Sequence, residues 1–72
     1  MPSIDIQVLE GVFSDDEKSE IIFKVTNAFA EVAGQKIKAG TSVRIHEIGS
    51  GAWGWGGEVL TTDIARKMKE AG

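Results

Sequence analysis

The chain has 72 residues, with eight Lys/Arg against eleven Asp/Glu, a net charge of −3 and no cysteine. So short a domain buries only roughly 60% of the surface its unfolded chain exposes, and without cysteine neither disulfides nor thiolate-bound zinc can supplement it, which leaves self-association as the expected source of stability. The negative balance repels a phosphate backbone, no apolar run approaches the ~20 residues of a membrane-spanning helix, and Asp5 and Gln7 interrupt any signal-peptide layout, so the expectation is no nucleic acid, no membrane and a cytoplasmic location.

Residues Ser3 to Leu9 alternate, with Ile4, Ile6 and Val8 on one face and Ser3, Asp5 and Gln7 on the other, which predicts a strand ended by Gly11. Ser14 with Glu17 three residues later forms a capping box and starts a helix at Asp15, where Asp15, Asp16 and Glu17 also suit the positive end of the helix dipole. Ile21, Ile22, Val25, Ala28, Phe29 and Val32 recur at helical spacing and are expected to face a sheet, and Gly34 is a natural helix stop. After the polar stretch Gln35 to Gly40, the run Thr41 to Ile48 has the β-branched content of a second strand, with Val43 and Ile45 under the helix.

Strand, long helix, strand predicts a βαβ unit with parallel strands and a right-handed crossover. The glycine-rich segment Gly49 to Gly57 predicts a hairpin, and Thr61 or Thr62 caps a short terminal helix carrying Ile64, Ala65, Met68 and Ala71. The expected class is α+β: one domain over residues 1–72, a small β-α-β subunit with a C-terminal hairpin and terminal helix, assembling by sheet pairing. No internal repeat or linker interrupts it.

Pro2 is the first candidate for chemistry. A residue this small beside the initiator Met permits removal of Met1, leaving a free prolyl amine. That amine becomes a base at neutral pH only where an apolar pocket or nearby positive charge disfavours its protonated form. Position alone favours a proline that merely begins an edge strand, where its missing N–H costs nothing. His46, the single histidine, shares a strand face with Ser42 and Arg44, and reads as a hydrogen-bonded structural residue. One His, no Cys and no carboxylate triad fall short of a zinc set, and the glycine-rich turn is followed by neither Lys-Ser/Thr nor a long helix, so no metal or phosphate-loop cofactor is expected.

The opening Met1-Pro2-Ser3-Ile4-Asp5-Ile6-Gln7-Val8-Leu9-Glu10-Gly11, the capped helix from Ser14, and Trp53-Gly54-Trp55-Gly56-Gly57-Glu58 together resemble the 4-oxalocrotonate tautomerase family, over nearly the whole chain. The resemblance implies a β-α-β subunit that dimerises through its sheets, trimers of those dimers, and an amino-terminal proline that shuttles protons on enol or keto acids without a cofactor. It also implies arginines that bind substrate carboxylates and an aromatic that makes the pocket apolar. Trp53 matches the aromatic, and Trp55 stands where the family has an aliphatic residue. Val12 and Phe13 stand where the best-known members have an arginine after Leu-Glu-Gly, with one additional residue before Ser14. For the second arginine, Thr41-Ser42-Val43-Arg44 matches directly, whereas an ungapped count back from Trp53 reaches Ser42. Two residues is one strand period, so both point to one face.

Catalysis by Pro2 with substrate binding by Arg44, Ser42 and Trp53 is the expectation, on a small carboxylate and in a homohexamer. An apolar substrate tail is expected from Val12, Phe13 and Trp53. Arg44 reads also as a surface or interface ion pair, and both tryptophans as subunit contacts. Two other functions fit the sequence: hydration or dehalogenation of an unsaturated acid with protonated Pro2 as the acid, and a non-catalytic binding or assembly module.

Overall fold

The computed structural model describes all 72 residues. Strand β1 (Ser3–Leu9) leads through a turn into helix α1 (Asp15–Ala33), a one-turn helix α2 (Gln35–Lys38) and strand β2 (Ser42–Ile48). Strands β3 (Trp53–Trp55) and β4 (Glu58–Leu60) form a hairpin, and helix α3 (Thr62–Glu70) closes the chain. The parallel β1–β2 pair, the antiparallel hairpin and the terminal helix are the architecture the sequence implies. No helix is long and apolar enough to cross a membrane.

Local chemistry explains most boundaries. The Ser14 hydroxyl accepts the Glu17 N–H while the Glu17 carboxylate accepts the Ser14 N–H at 2.9 Å, so the capping box forms in full. Gly34 ends α1 with its N–H on the Ala30 carbonyl, and its positive φ of 102°, with ψ 158°, lies outside the left-handed helical basin in a region that favours glycine, which turns the chain straight into α2. Of the two candidate threonines Thr61 caps α3, accepting the Ile64 N–H. Gly56 and Gly57 supply the two positive φ values of the hairpin turn, the twist-matched solution for a two-residue loop. At Gly54 a Cβ would lie 2.4 Å from the Glu58 carbonyl oxygen, so this position admits glycine alone.

One expectation needs correction. Ala28 and Val32 do not face the sheet: Ala28 is exposed and Val32 is 93% exposed, while Ala30, outside the apolar stripe read from the sequence, is buried. At 3.6 residues per turn Ala28 and Val32 share one side of α1 and lie about 200° around from Ala30. The least exposed of these positions are instead Ile21, Val25, Thr26 and Ala30, while Ile22 and Phe29 stay more than a third exposed, and Thr26 satisfies its hydroxyl on the Ile22 carbonyl. The stretch Gln35 to Gly40 is likewise not featureless, since α2 occupies its first four residues.

The molecule is a slab of 42 × 23 × 18 Å, one helix on one two-stranded sheet. Such a slab has almost no interior, and only Leu9 and Ala30 are buried. Its accessible surface is 5161 Å² for 7.7 kDa. A self-sufficient monomer of that mass exposes about 4,300 Å². The excess, roughly 800 Å², equals what one partner contributes to a standard protein interface.

Candidate active site

The sheet sorts the candidate residues onto two faces. Pro2, immediately before β1, is half-buried and continues the inward phase of Ile4, Ile6 and Val8. Its carbonyl accepts the Ser42 N–H at 2.9 Å, which pins the chain start to the head of β2. Met1 is 89% exposed, and its amino group donates to the Gly40 carbonyl.

Arg44 lies on the opposite, open face. The parallel register sets Asp5 beside Arg44 and Gln7 beside His46. Arg44 Nη1 donates to the Ser3 hydroxyl and stands 3.6 Å from the Asp5 carboxylate, and His46 Nε2 lies 3.2 Å from the same carboxylate oxygen. All three charged or titratable side chains are about half exposed. Only one terminal nitrogen of the Arg44 guanidinium is engaged, so most of its donors remain open.

Trp53 sits at the other end of β1. With Val8, Leu9, Val12, Phe13, Leu60 and Met68 it lines an apolar cavity of 360 Å³, within the size range of small-molecule sites. At 3.3 Å per residue the run from Pro2 to Leu9 places this cavity about 20 Å from the chain start. One subunit therefore brings Arg44 and Ser42 near the start of β1, with Arg44 across the sheet from Pro2, and leaves Trp53 at the far end. Trp55, 61% exposed, borders a separate apolar recess with Val59, Ile64 and Met68.

The structure adds residues that the sequence reading missed. From α3, the Thr62 hydroxyl donates to the Glu10 carbonyl at 2.8 Å, Arg66 Nε to Gly11 at 2.8 Å and Lys69 Nζ to Val12 at 3.2 Å. Three donors spaced i, i+4 and i+7 thus lace one helix face to three successive carbonyls. That spacing was readable, but its target was not, since the contact spans 52 to 57 residues of sequence.

Lys69 also bonds the Glu17 carboxylate at 2.7 Å. That hydrogen bond first, and the Ser14 N–H second, hold the Glu17 carboxyl below its ordinary value of 4.5. A carboxyl depressed in the folded state stabilises fully above its unfolded value and loses that contribution as pH falls through the folded one. Thermal unfolding between about pH 6 and 3 should therefore show a shallower acid decline for Glu17→Gln than for the unsubstituted protein. Equal slopes would show that the Lys69–Glu17–Ser14 link carries no stability.

Residues 2–63 match the family model described as tautomerase enzyme. The chain belongs to the tautomerase family. Solved structures similar to this chain include a 4-oxalocrotonate tautomerase isozyme of Methylibium petroleiphilum, 34% identical over 81% of this chain and 90% of that one, with TM-score 0.72. DmpI of Helicobacter pylori is 30% identical over 82% of this chain and 95% of its own, with TM-score 0.72. YwhB, a homologue of 4-oxalocrotonate tautomerase, is 29% identical over 82% and 93%, with TM-score 0.73. Comparison with curated proteins gives no match. Membership of the family implies a small-molecule substrate and oligomer formation.

Proposed function

We propose that the chain is a cofactor-independent keto–enol tautomerase in which the Pro2 amine, freed by removal of Met1, is the acid–base group. The observation that carries this reading is the placement of Pro2: half-buried at the head of a pinned strand, behind an exposed Met1, in a chain of the tautomerase family. The neutral amine takes the hydroxyl proton of an enol or 2-hydroxydienoate and returns it to carbon, leaving the keto acid. Only a proton and the double bonds move. Arg44, steadied by Ser3 and Asp5, offers its open donors to the substrate carboxylate, with Ser42 beside it.

Trp53 lines the pocket and helps keep the amine neutral by excluding water. Because Pro2 and Trp53 lie at opposite ends of β1, the reading requires that subunits complete one another's sites, in a homohexamer built as a trimer of dimers. The test is ketonisation of phenylenolpyruvate by the protein and by Pro2→Ala. Hydration or dehalogenation, with Pro2 protonated and acting as acid, is the second reading. It is favoured by Val12, which stands where the family's first arginine would.

A further inference from the structure

We infer that His46 is a positioning residue for the anion site of Arg44: the imidazole and the guanidinium share the Asp5 carboxylate, so a substrate carboxylate reaches Arg44 together with a proton on His46. The inference rests on the reading that Arg44 holds that carboxylate; the linkage to His46 rests on the following geometry.

Arg44 and His46 are one strand period apart on β2, about 7 Å. Asp5 stands beside Arg44 in the parallel register and reaches both, its Oδ1 lying 3.6 Å from Arg44 Nη1 and 3.2 Å from His46 Nε2. Among the chain's ion pairs Asp5 is the one carboxylate that serves two cationic side chains. The other polar groups on this face, Ser3, Gln7 and Ser42, carry no charge. Glu47, next to His46 in sequence, turns to the opposite face, where Lys18 holds it at 3.1 Å. Near neutrality the charge of the cluster is therefore set by His46 alone.

With the imidazole neutral, Arg44 and Asp5 cancel, and an incoming carboxylate meets the negative charge of Asp5 beside the positive charge of Arg44. With the imidazole protonated, His46 holds Asp5, the cluster carries one net positive charge, and the open donors of Arg44 face the ligand. Histidine is the side chain whose charge ordinarily changes between about pH 5 and 8. Linkage is reciprocal, so a proton on His46 strengthens anion binding, and a bound anion strengthens proton binding by the same factor. Affinity for a carboxylate is greatest with His46 protonated and falls as pH rises through its titration.

Calorimetric titration of the assembled protein with trans-cinnamate, which is phenylenolpyruvate without its hydroxyl, tests this between about pH 5.5 and 8. Affinity should fall about fivefold over that range, the effect in water of one unit charge about 4 Å away. Buffers of different ionisation enthalpy should report proton uptake on binding. His46→Gln should lose this fall, and the difference between the two proteins excludes any contribution from Pro2. Asp5→Asn, which leaves Arg44 without its neutralising partner, should bind cinnamate more tightly than the unsubstituted protein at the upper end of the range. Should the variants not assemble, the imidazole NMR signals of the unsubstituted protein decide: their titration should move to higher pH with cinnamate and stay still with uncharged cinnamamide. The same fall in His46→Gln, or imidazole signals indifferent to cinnamate, would overturn the inference, as a histidine that merely braces Asp5 predicts. Failure to bind cinnamate at any pH would overturn it together with the role of Arg44. A flat affinity in a protein that ketonises phenylenolpyruvate would sink this inference and leave the tautomerase reading standing. A His46-linked affinity in a protein that ketonises no enol would do the reverse.

Discussion

Pro2→Ala is expected to lower kcat/KM for ketonisation of phenylenolpyruvate by roughly a hundredfold or more, the scale of a positioned acid–base group. Alanine still offers a primary amine, so chemistry of the same kind persists at a low level. What it lacks is the ring that fixes φ and holds the nitrogen in one direction. Assembly should be retained, because the contact seen at this position is a backbone carbonyl accepting the Ser42 N–H, which alanine supplies equally. Sedimentation of the variant alongside its rate separates the two effects. An unchanged rate would remove Pro2 from the mechanism.

The unfolding temperature should rise with protein concentration, by roughly 4–8 °C per decade. A subunit with two buried residues and an excess of exposed surface has little to hold it folded alone. When unfolding releases six chains from one particle, each tenfold change in concentration shifts the free energy per subunit by about 1.1 kcal/mol, which in a domain this small moves the midpoint by several degrees. The apolar residues left outside, Phe23 at 64% and Val32 at 93% exposure among them, are the side chains that such contacts would cover. A midpoint independent of concentration, with a sedimentation mass near 7.7 kDa, would show a self-sufficient monomer and with it a site that neighbours cannot complete.

Much of the fold was legible because its signals are local. The two-residue alternation of Ile4, Ile6 and Val8, the Ser14/Glu17 box, the βαβ spacing and the Gly56-Gly57 turn each depend on neighbours a few residues away. The inward face of α1 was only half legible. Two adjacent apolar stripes run along that helix, and periodicity cannot say which one meets the subunit's own sheet and which is left for a partner. Ala30 carries too little apolar area to announce itself, yet a small residue is what permits the helix to approach the sheet closely.

The site was less legible than the fold for a different reason. Pro2, Arg44 and Trp53 are each found by motif, but whether they converge depends on sheet faces and on subunits that one chain does not contain. Parity did place Ser42, Arg44 and His46 on one face, as observed, and the same parity puts Pro2 on the other. Arg66 was invisible because its meaning comes from a contact 55 residues away. A helix of mixed charge near a chain end reads as a solvated surface until its partner carbonyls are known.

The neutral Pro2 nitrogen is the claim on which the rest depends, and its titration by isotope-edited NMR in the assembled protein tests it most directly. The expected result is a free secondary amine that is largely unprotonated at neutral pH, poised to accept a proton. A signal that titrates well above neutrality would make Pro2 an acid and favour hydration or dehalogenation; an amide signal that does not titrate would end the catalytic account.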